Sequence, residues 1–208
     1  MKKRIQFILK LNIIKSLYYS LRFGGRIFVG KGKLFIDGSG KIEFTSPKSS
    51  LFVGVYTTVN APAVLTIMND AKFIVGECAM IHRGTKVVIH NGGELTIGDS
   101  TYINENSRIH CKKRITIGNH CAIAWNTNII DTDIHTIHYT KDKKNYDADI
   151  SIGNHVWIGA NSMILKGTTI EDNCIVGANS VVKGILNTQH IYNGNPVICK
   201  GVFEYWEL

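Results

Sequence analysis

The chain has 208 residues, enough for one repeat domain with a continuous core, and its 44% hydrophobic and 19% charged content is that of an ordinary globular protein. Its net charge of +8 is a terminal feature: residues 1–33 hold nine Lys or Arg and no acid, while the other 15 bases face all 16 acids. That distribution excludes a nucleic-acid groove along the body. Five Cys with no C-x-x-C argue against redox or metal work and fit a reducing cytoplasm.

Residues 1–23 read as an amphipathic helix. Ile5, Leu9, Ile13, Leu17 and Leu21 form one row at i+4 spacing, with Ile8, Leu11, Ile14 and Tyr18 beside it and Lys2, Lys3, Gln6, Lys10 and Lys15 on the polar side. Lys10 and Lys15 interrupt the apolar run and no small-residue cleavage site follows, so neither a signal peptide nor a spanning helix is expected. Two roles stay open. The helix packs against the following domain or a neighbouring subunit, or it rests on an anionic membrane surface, which its basic and aromatic content favours.

From residue 24 a period of six begins, and it is clearest over 152–183. Ile152, Ile158, Ile164, Ile170, Val176 and Val182 recur every sixth residue, and four residues after the first five come Val156, Ser162, Thr168, Cys174 and Ser180. Neither a helix at 3.6 nor a flat strand at 2 produces that period; a three-sided coil of short parallel strands does. One aliphatic per side points inward, a small residue lines the corner, and Gly or Asn takes the bend. Earlier inward positions trace as Ile36 and Ile42; Val53, Val59 and Leu65; Val75, Ile81 and Val87; Ile97, Ile103 and Ile109; and Ile117, Ile123 and Ile129. Each triplet is one coil of 18 residues. The register slips at SPKSS, MNDAK, HNGGE and CKKR, which read as bulged corners. The pattern predicts six to seven coils, ~30 Å in length at ~4.8 Å per coil. Cys121 and Cys174 fall on inward small positions and are expected to be core filler.

One true insertion, 130–150 (IDTDIHTIHYTKDKKNYDADI), interrupts the regular part with charges and His, and insertions in such coils are where function concentrates. Residues 197–208 form a short amphipathic tail expected to cap the last coil. The organisation is therefore a helix (1–23), one coil domain (24–196) and a tail.

The stretch VWIGANSMILKGTTIEDNCIVGANSVV, with IIDTDIH upstream and GNP downstream, resembles the hexapeptide-repeat acyltransferases. It is similar to the branch of maltose, galactoside and polysaccharide-locus O-acetyltransferases. The resemblance is strong over 95–196 and weak before. It implies an all-β fold, a left-handed parallel β-helix, assembled as a homotrimer with active sites between chains. It also implies acetyl transfer from acetyl-CoA to a sugar hydroxyl, which needs a base for the hydroxyl proton and a donor for the oxyanion. On that resemblance His135, at the end of D-T-D-x-H, is the catalytic base, an imidazole being competent near neutral pH; His138 is its rival. Asp131 and Asp133 are candidates to orient the imidazole or hold the acceptor, and Asn104 and Trp157 to contact it. Trp125 is expected at the face matching Trp157 one coil earlier. The backbone at Ala160 and Ala178 is expected to carry the pantetheine arm of acetyl-CoA. For its phosphates the sequence departs from the family pattern: Lys183 sits one position early, and Lys200 stands in for a Lys missing after Gly194-Asn195-Pro196. Lys112-Lys113-Arg114 replace an acidic residue that faces the sugar in galactoside enzymes, which suggests an anionic or lipid-linked acceptor.

Alternatives are N-acetyl transfer to an amino sugar, a zinc enzyme like the γ-type carbonic anhydrases using His110, His135 and His138, and a non-catalytic β-helix. The zinc reading is disfavoured by the three-residue spacing of the later pair, and no metal site is expected.

Overall fold

A computed structural model of the chain describes residues 11–30, 34–55, 61–135 and 146–207. Within them the chain winds as a three-sided parallel coil, each strand pairing with the one three positions later, so that three stacked sheets form the sides. The first face runs from Arg26–Val29 through Trp157–Ile158 to His190–Asn193, the second from Leu34–Asp37 to Val181–Val182, and the third from Lys41–Phe44 to Ile185–Leu186. Among the described residues the second and third faces have seven strands each. The coil thus has seven complete turns, plus an eighth parallel rung on the first face begun by Arg26–Val29, which the periodicity did not reveal.

The inward residues predicted from the period of six are buried wherever they are described; Val59 lies outside the described residues. Register explains why they must be aliphatic: Ile103, Ile123, Ile158 and Val176 stack directly, as do Ile109, Ile129, Ile164 and Val182. Each ladder forms one wall of a single dry core. The small residues four positions on are fully buried at the corners. There the hydroxyls satisfy carbonyls that no strand reaches: Thr101 donates to Gly118 O at 2.6 Å and Ser180 to Gly177 O at 2.6 Å. Cys121 and Cys174 lie in the core, and burial pushes both thiols up to about 11.

Two corners are built from side-chain stacks. Between the third and first faces, Asp99, Asn119, Asn154 and Asp172 each accept the backbone N–H of the coil below, at 2.7–2.9 Å. A Cβ on Gly118 in this stack would lie 2.6 Å from the Gly153 carbonyl oxygen, so only glycine fits. Between the first and second faces, Asn106, Asn126, Asn161 and Asn179 take left-handed backbone with φ of 58–59°, the conformation Asn tolerates best among residues with a Cβ.

The N-terminal helix, α1 (Ile13–Phe23), occupies the later half of the stretch read as helical. Asn12 is its N-cap, its side chain accepting Lys15 N–H at 3.0 Å, and Leu11 instead bridges to Gly30. Residues 1–10 lie outside the described residues. The helix lies along the open edge of β1 (Arg26–Val29). Ser16 Oγ accepts the Val29 N–H at 2.9 Å, and Ser20 Oγ accepts the Ile27 N–H at 3.0 Å while donating to its carbonyl at 3.2 Å. It turns Ser16, Tyr19, Ser20 and Phe23 to the coil, and the row Ile13, Leu17, Leu21 is exposed.

At the other end, the tail does more than cap. Ile198–Val202 adds antiparallel to His190–Asn193, and the chain then descends the first face until Trp206 stacks on His155, 4.2 Å between centroids and 8° from coplanar. The Trp206 indole N–H donates to the His155 carbonyl at 3.1 Å.

Candidate active site

The predicted site residues fall on two different corners. At the corner between the first and second faces, a groove of about 260 Å³ is lined by Tyr102, Asn104, Ala122, Ala124, Trp125, Trp157, Trp206 and Glu207. Trp157 and Trp125 are 43% and 51% exposed, so each presents a large apolar surface to the groove. Contrary to the expectation from the sequence, they are not equivalent positions. Trp157 pairs with Ala122 in the flat of the first face, whereas Trp125 stands at the corner in the column of Ala160. Trp206 and Glu207 were missed because a stretch outside the repeat carries no periodic signal of where it docks, and Tyr102 because an outward position on a coil strand is not fixed by the period. The aromatic-acidic run EYWEL was the one available hint.

Asn104 lies in the groove, but its side-chain oxygen accepts Glu105 N–H at 3.0 Å. Burial lowers the His82 pKa, against the opposing influence of Glu105 and Asn104. The His82 ring lies against that of Tyr102, 6.2 Å between centroids.

One coil above Trp125 the corner continues as Gly159-Ala160-Asn161, and above that as Gly177-Ala178-Asn179. A Cβ on Gly159 would lie 2.5 Å from Ala178 N, so the two turns stack without side chains between them. Gly159 N–H donates to Val176 O at 2.7 Å and Asn161 N–H to Trp125 O at 3.1 Å; the amides of Ala160 and Ala178 bond no acceptor among the described residues. Two free N–H groups one coil apart, beside exposed indoles, suit an extended chain bearing amide carbonyls, which is what the pantetheine arm of acetyl-CoA is.

The insertion leaves the opposite corner, between the second and third faces, where MNDAK, HNGGE and CKKR already bulge. Its base is tightly tied. Thr132 bridges Asp147, Asp133 N–H donates to Tyr146 O and Ala148 N–H to Asp131 O, both at 2.9 Å, and Lys166 binds Asp133 and the Tyr146 carbonyl. Asp131 is fully buried, and its two oxygens accept the N–H groups of Lys112 and Lys113 at 2.7 and 2.8 Å. Burial raises its pKa against those bonds. It is a structural bracket for the corner, not the acceptor or imidazole ligand expected from the sequence. Asp133 spends its carboxylate on Lys166, and only its carbonyl touches His135, accepting that residue's N–H at 2.6 Å. The His135 side chain is exposed at the end of this anchored segment; His138 lies outside the described residues.

Lys112, Lys113 and Arg114 each face an acid of the same chain: Asp147 at 3.8 Å, Asp149 at 2.9 Å and Glu94 at 3.3 Å. The cationic corner is therefore internally balanced, and its suggestion of an anionic acceptor is withdrawn. Lys183 is exposed at the second–third corner of the last full coil, across the second face from Ala178, while Lys200 is exposed on Ile198–Val202 beside the first face. Within one chain they do not converge.

His135 and the groove are likewise separated. The four-residue strand Arg108–Cys111 spans the second face between them, ~13 Å at ~3.3 Å per residue. The groove and His135 thus face different directions from the coil.

The chain has informative relatives. The family model described as bacterial transferase hexapeptide (six repeats) matches residues 149–184. Over 141 residues the chain is 37% identical to galactoside O-acetyltransferase of Escherichia coli (strain K12), covering 67% of each protein. It is 27% identical over 140 residues to the putative lipopolysaccharide biosynthesis O-acetyl transferase of the same organism, covering 62% of this chain and 71% of that one. A hexapeptide-repeat-containing acetyltransferase of Vibrio cholerae, solved in complex with acetyl coenzyme A, superposes with a TM-score of 0.55 at 26% identity, over 65% of this chain and 72% of that one. The chain belongs to the hexapeptide-repeat acyltransferases, and its coil is their left-handed parallel β-helix. It is an acyltransferase; the zinc alternative finds no support among these relatives.

Proposed function

We propose that the protein is an O-acetyltransferase that moves acetyl from acetyl-CoA to a hydroxyl of a sugar or polysaccharide precursor, working as a homotrimer with its sites between chains. The observation that carries this reading is the split of the site across two corners of one prism, the groove on one and His135 on the other. Coils packed side by side bring the His135 corner of one chain against the groove of the next. The relatives named above act, by their names, on galactosides and lipopolysaccharide, which favours a hydroxyl over an amine as the acceptor.

His135 takes the acceptor's hydroxyl proton as its oxygen attacks the thioester carbonyl. The C–S bond then breaks, the acetyl stays on the acceptor oxygen, and the thiolate of CoA leaves and collects the proton. The Ala160 and Ala178 amides hold the pantetheine, and Trp157, Trp125 and Trp206 wall the groove. Asn104 positions the acceptor, and Lys183 or Lys200 meets the phosphates. We place the protein in the cytoplasm, peripheral at the inner membrane face, where lipid-linked precursors are met.

The test is thiol release from acetyl-CoA across free, nucleotide-linked and lipid-linked sugars. His135→Ala and Ala178→Glu should each be inactive, since Ala178 is exposed and a carboxylate there blocks the groove without disturbing the core. Mixed trimers of the two should recover activity at roughly a quarter of the sites. No recovery, with both variants folded and mixed, would place the whole site within one chain.

A further inference from the structure

The N-terminal helix is amphipathic in an inverted sense. Ser16, Ser20, Tyr19 and Phe23 face the coil, and the two serine hydroxyls close backbone groups on the open edge of β1. The opposite side carries Ile13, Ile14, Leu17, Tyr18 and Leu21, with Ile14 83% and Leu21 76% exposed. Water gains nothing from such a stripe, and a monomer does not place five large apolar side chains together on its surface without a use for them.

Position narrows the partner. The helix covers the first rung of the solenoid, so its apolar stripe looks outward along the coil axis, away from the sides where neighbouring coils pack. Charge narrows it further. Lys15 and Arg22 flank the stripe, Arg26 is exposed beside it, and residues 1–33 hold nine bases before the first acid, Asp37. At 11 residues the helix is ~16 Å long at ~1.5 Å per residue, far short of a bilayer's thickness. No helix among the described residues is long and apolar enough to cross a membrane. An apolar face rimmed by cations on a short helix suits the plane of an anionic lipid surface.

We infer that this end of the solenoid is a membrane-docking surface, on which α1 lies flat with Ile14, Leu17 and Leu21 in the acyl boundary and Lys15, Arg22 and Arg26 toward anionic headgroups. The inference deepens the peripheral location proposed above and rests on that reading. If the coils assemble side by side with parallel axes, the three helices share one end of the trimer and engage the same surface together. One weak helix then becomes a firm attachment through effective concentration. The groove and His135 open sideways from the coil, so docking leaves them free to reach a headgroup-linked acceptor beside the membrane.

The experiment is co-sedimentation of the full chain with vesicles, without acetyl-CoA or acceptor, so that its failure says nothing against acetyl transfer. Vesicles of phosphatidylglycerol with phosphatidylethanolamine should pellet the protein, and phosphatidylcholine vesicles should not; 0.5 M salt, with a Debye length of about 4 Å, should weaken binding. Leu17→Gln with Leu21→Gln should lower partitioning ~10-fold or more, with trimer mass and thiol release on a soluble sugar unchanged. Equal pelleting by both vesicle types, or by variant and wild type, would overturn the proposal. So would loss of the trimer in the double variant, which would assign the stripe to a second copy of the chain.

Discussion

The two functional corners of the prism are built on opposite principles. The corner carrying the groove is made of the repeat, with Trp206 and Glu207 of the tail laid against it. Ala124-Trp125-Asn126, Gly159-Ala160-Asn161 and Gly177-Ala178-Asn179 stack in register, every bend is a left-handed Asn, and the free amides recur with the coil. The corner carrying His135 is where the repeat stops. It is held by a buried carboxylate, a short bridge and four ion pairs, each made once. A repeated corner offers identical donors at a fixed spacing, which suits binding a long flexible arm. A single chemical group at a chosen place must come from an exception to the repeat.

Predictions that break this contrast run from large to small. His135→Ala should lower kcat ~10²–10⁴-fold with the melting temperature unchanged, as expected of a general base on an exposed segment; near-full activity would hand the role to His138. Ile164→Ala, in the fully buried ladder above the groove, should cost ~2–5 kcal/mol in denaturant unfolding, because the neighbouring coils cannot collapse into the space. Asp131→Ala should cost ~1–3 kcal/mol, leaving the Lys112 and Lys113 N–H groups without their acceptor, and should lower kcat as the insertion loosens. Asp131→Asn, which keeps one acceptor, should fall between that variant and wild type.

Trp206→Ala removes a stacked ring worth ~0.5–1.5 kcal/mol and one wall of the groove. It should raise KM more than it lowers kcat, whereas a tail that merely capped the coil would leave both unmoved. The smallest effect concerns pH. Burial lowers the pKa of both His82 and His110, so the folded protein resists protonating them. Their contribution to stability is complete above the ordinary imidazole value of 6.5 and is lost as pH falls from there through the lowered folded value, because the unfolded chain takes up protons first. His82→Gln should therefore show a shallower fall in melting temperature between about pH 7.5 and about pH 5.5.

What could be read from the sequence follows the same division. The inward ladder, the small corner residues and the slipped corners were legible because each is a local consequence of one period: an inward residue has no freedom to be anything but aliphatic. Asp131, Asp133 and Lys112-Lys113-Arg114 were misread because a carboxylate or cation in a charged segment has many potential partners, and only folding selects one. The sequence left the helix two roles, packing against the coil or a neighbour and resting on a membrane surface; only folding shows that the open edge of β1 takes hydrogen-bond partners from Ser16 and Ser20 and leaves the apolar row exposed.

By itself, the sequence determined the three-sided coil, its core, the place of the insertion and the family, because a period of six admits one way of burying its aliphatics. The tertiary structure alone decided that the tail returns to the groove, that the helix turns its apolar side outward, and that His135 and the groove stand on separate corners. Those are matters of which surfaces meet across the chain. Contacts between surfaces depend on the exact rise and turn of the coil, which the identity of any one residue does not encode.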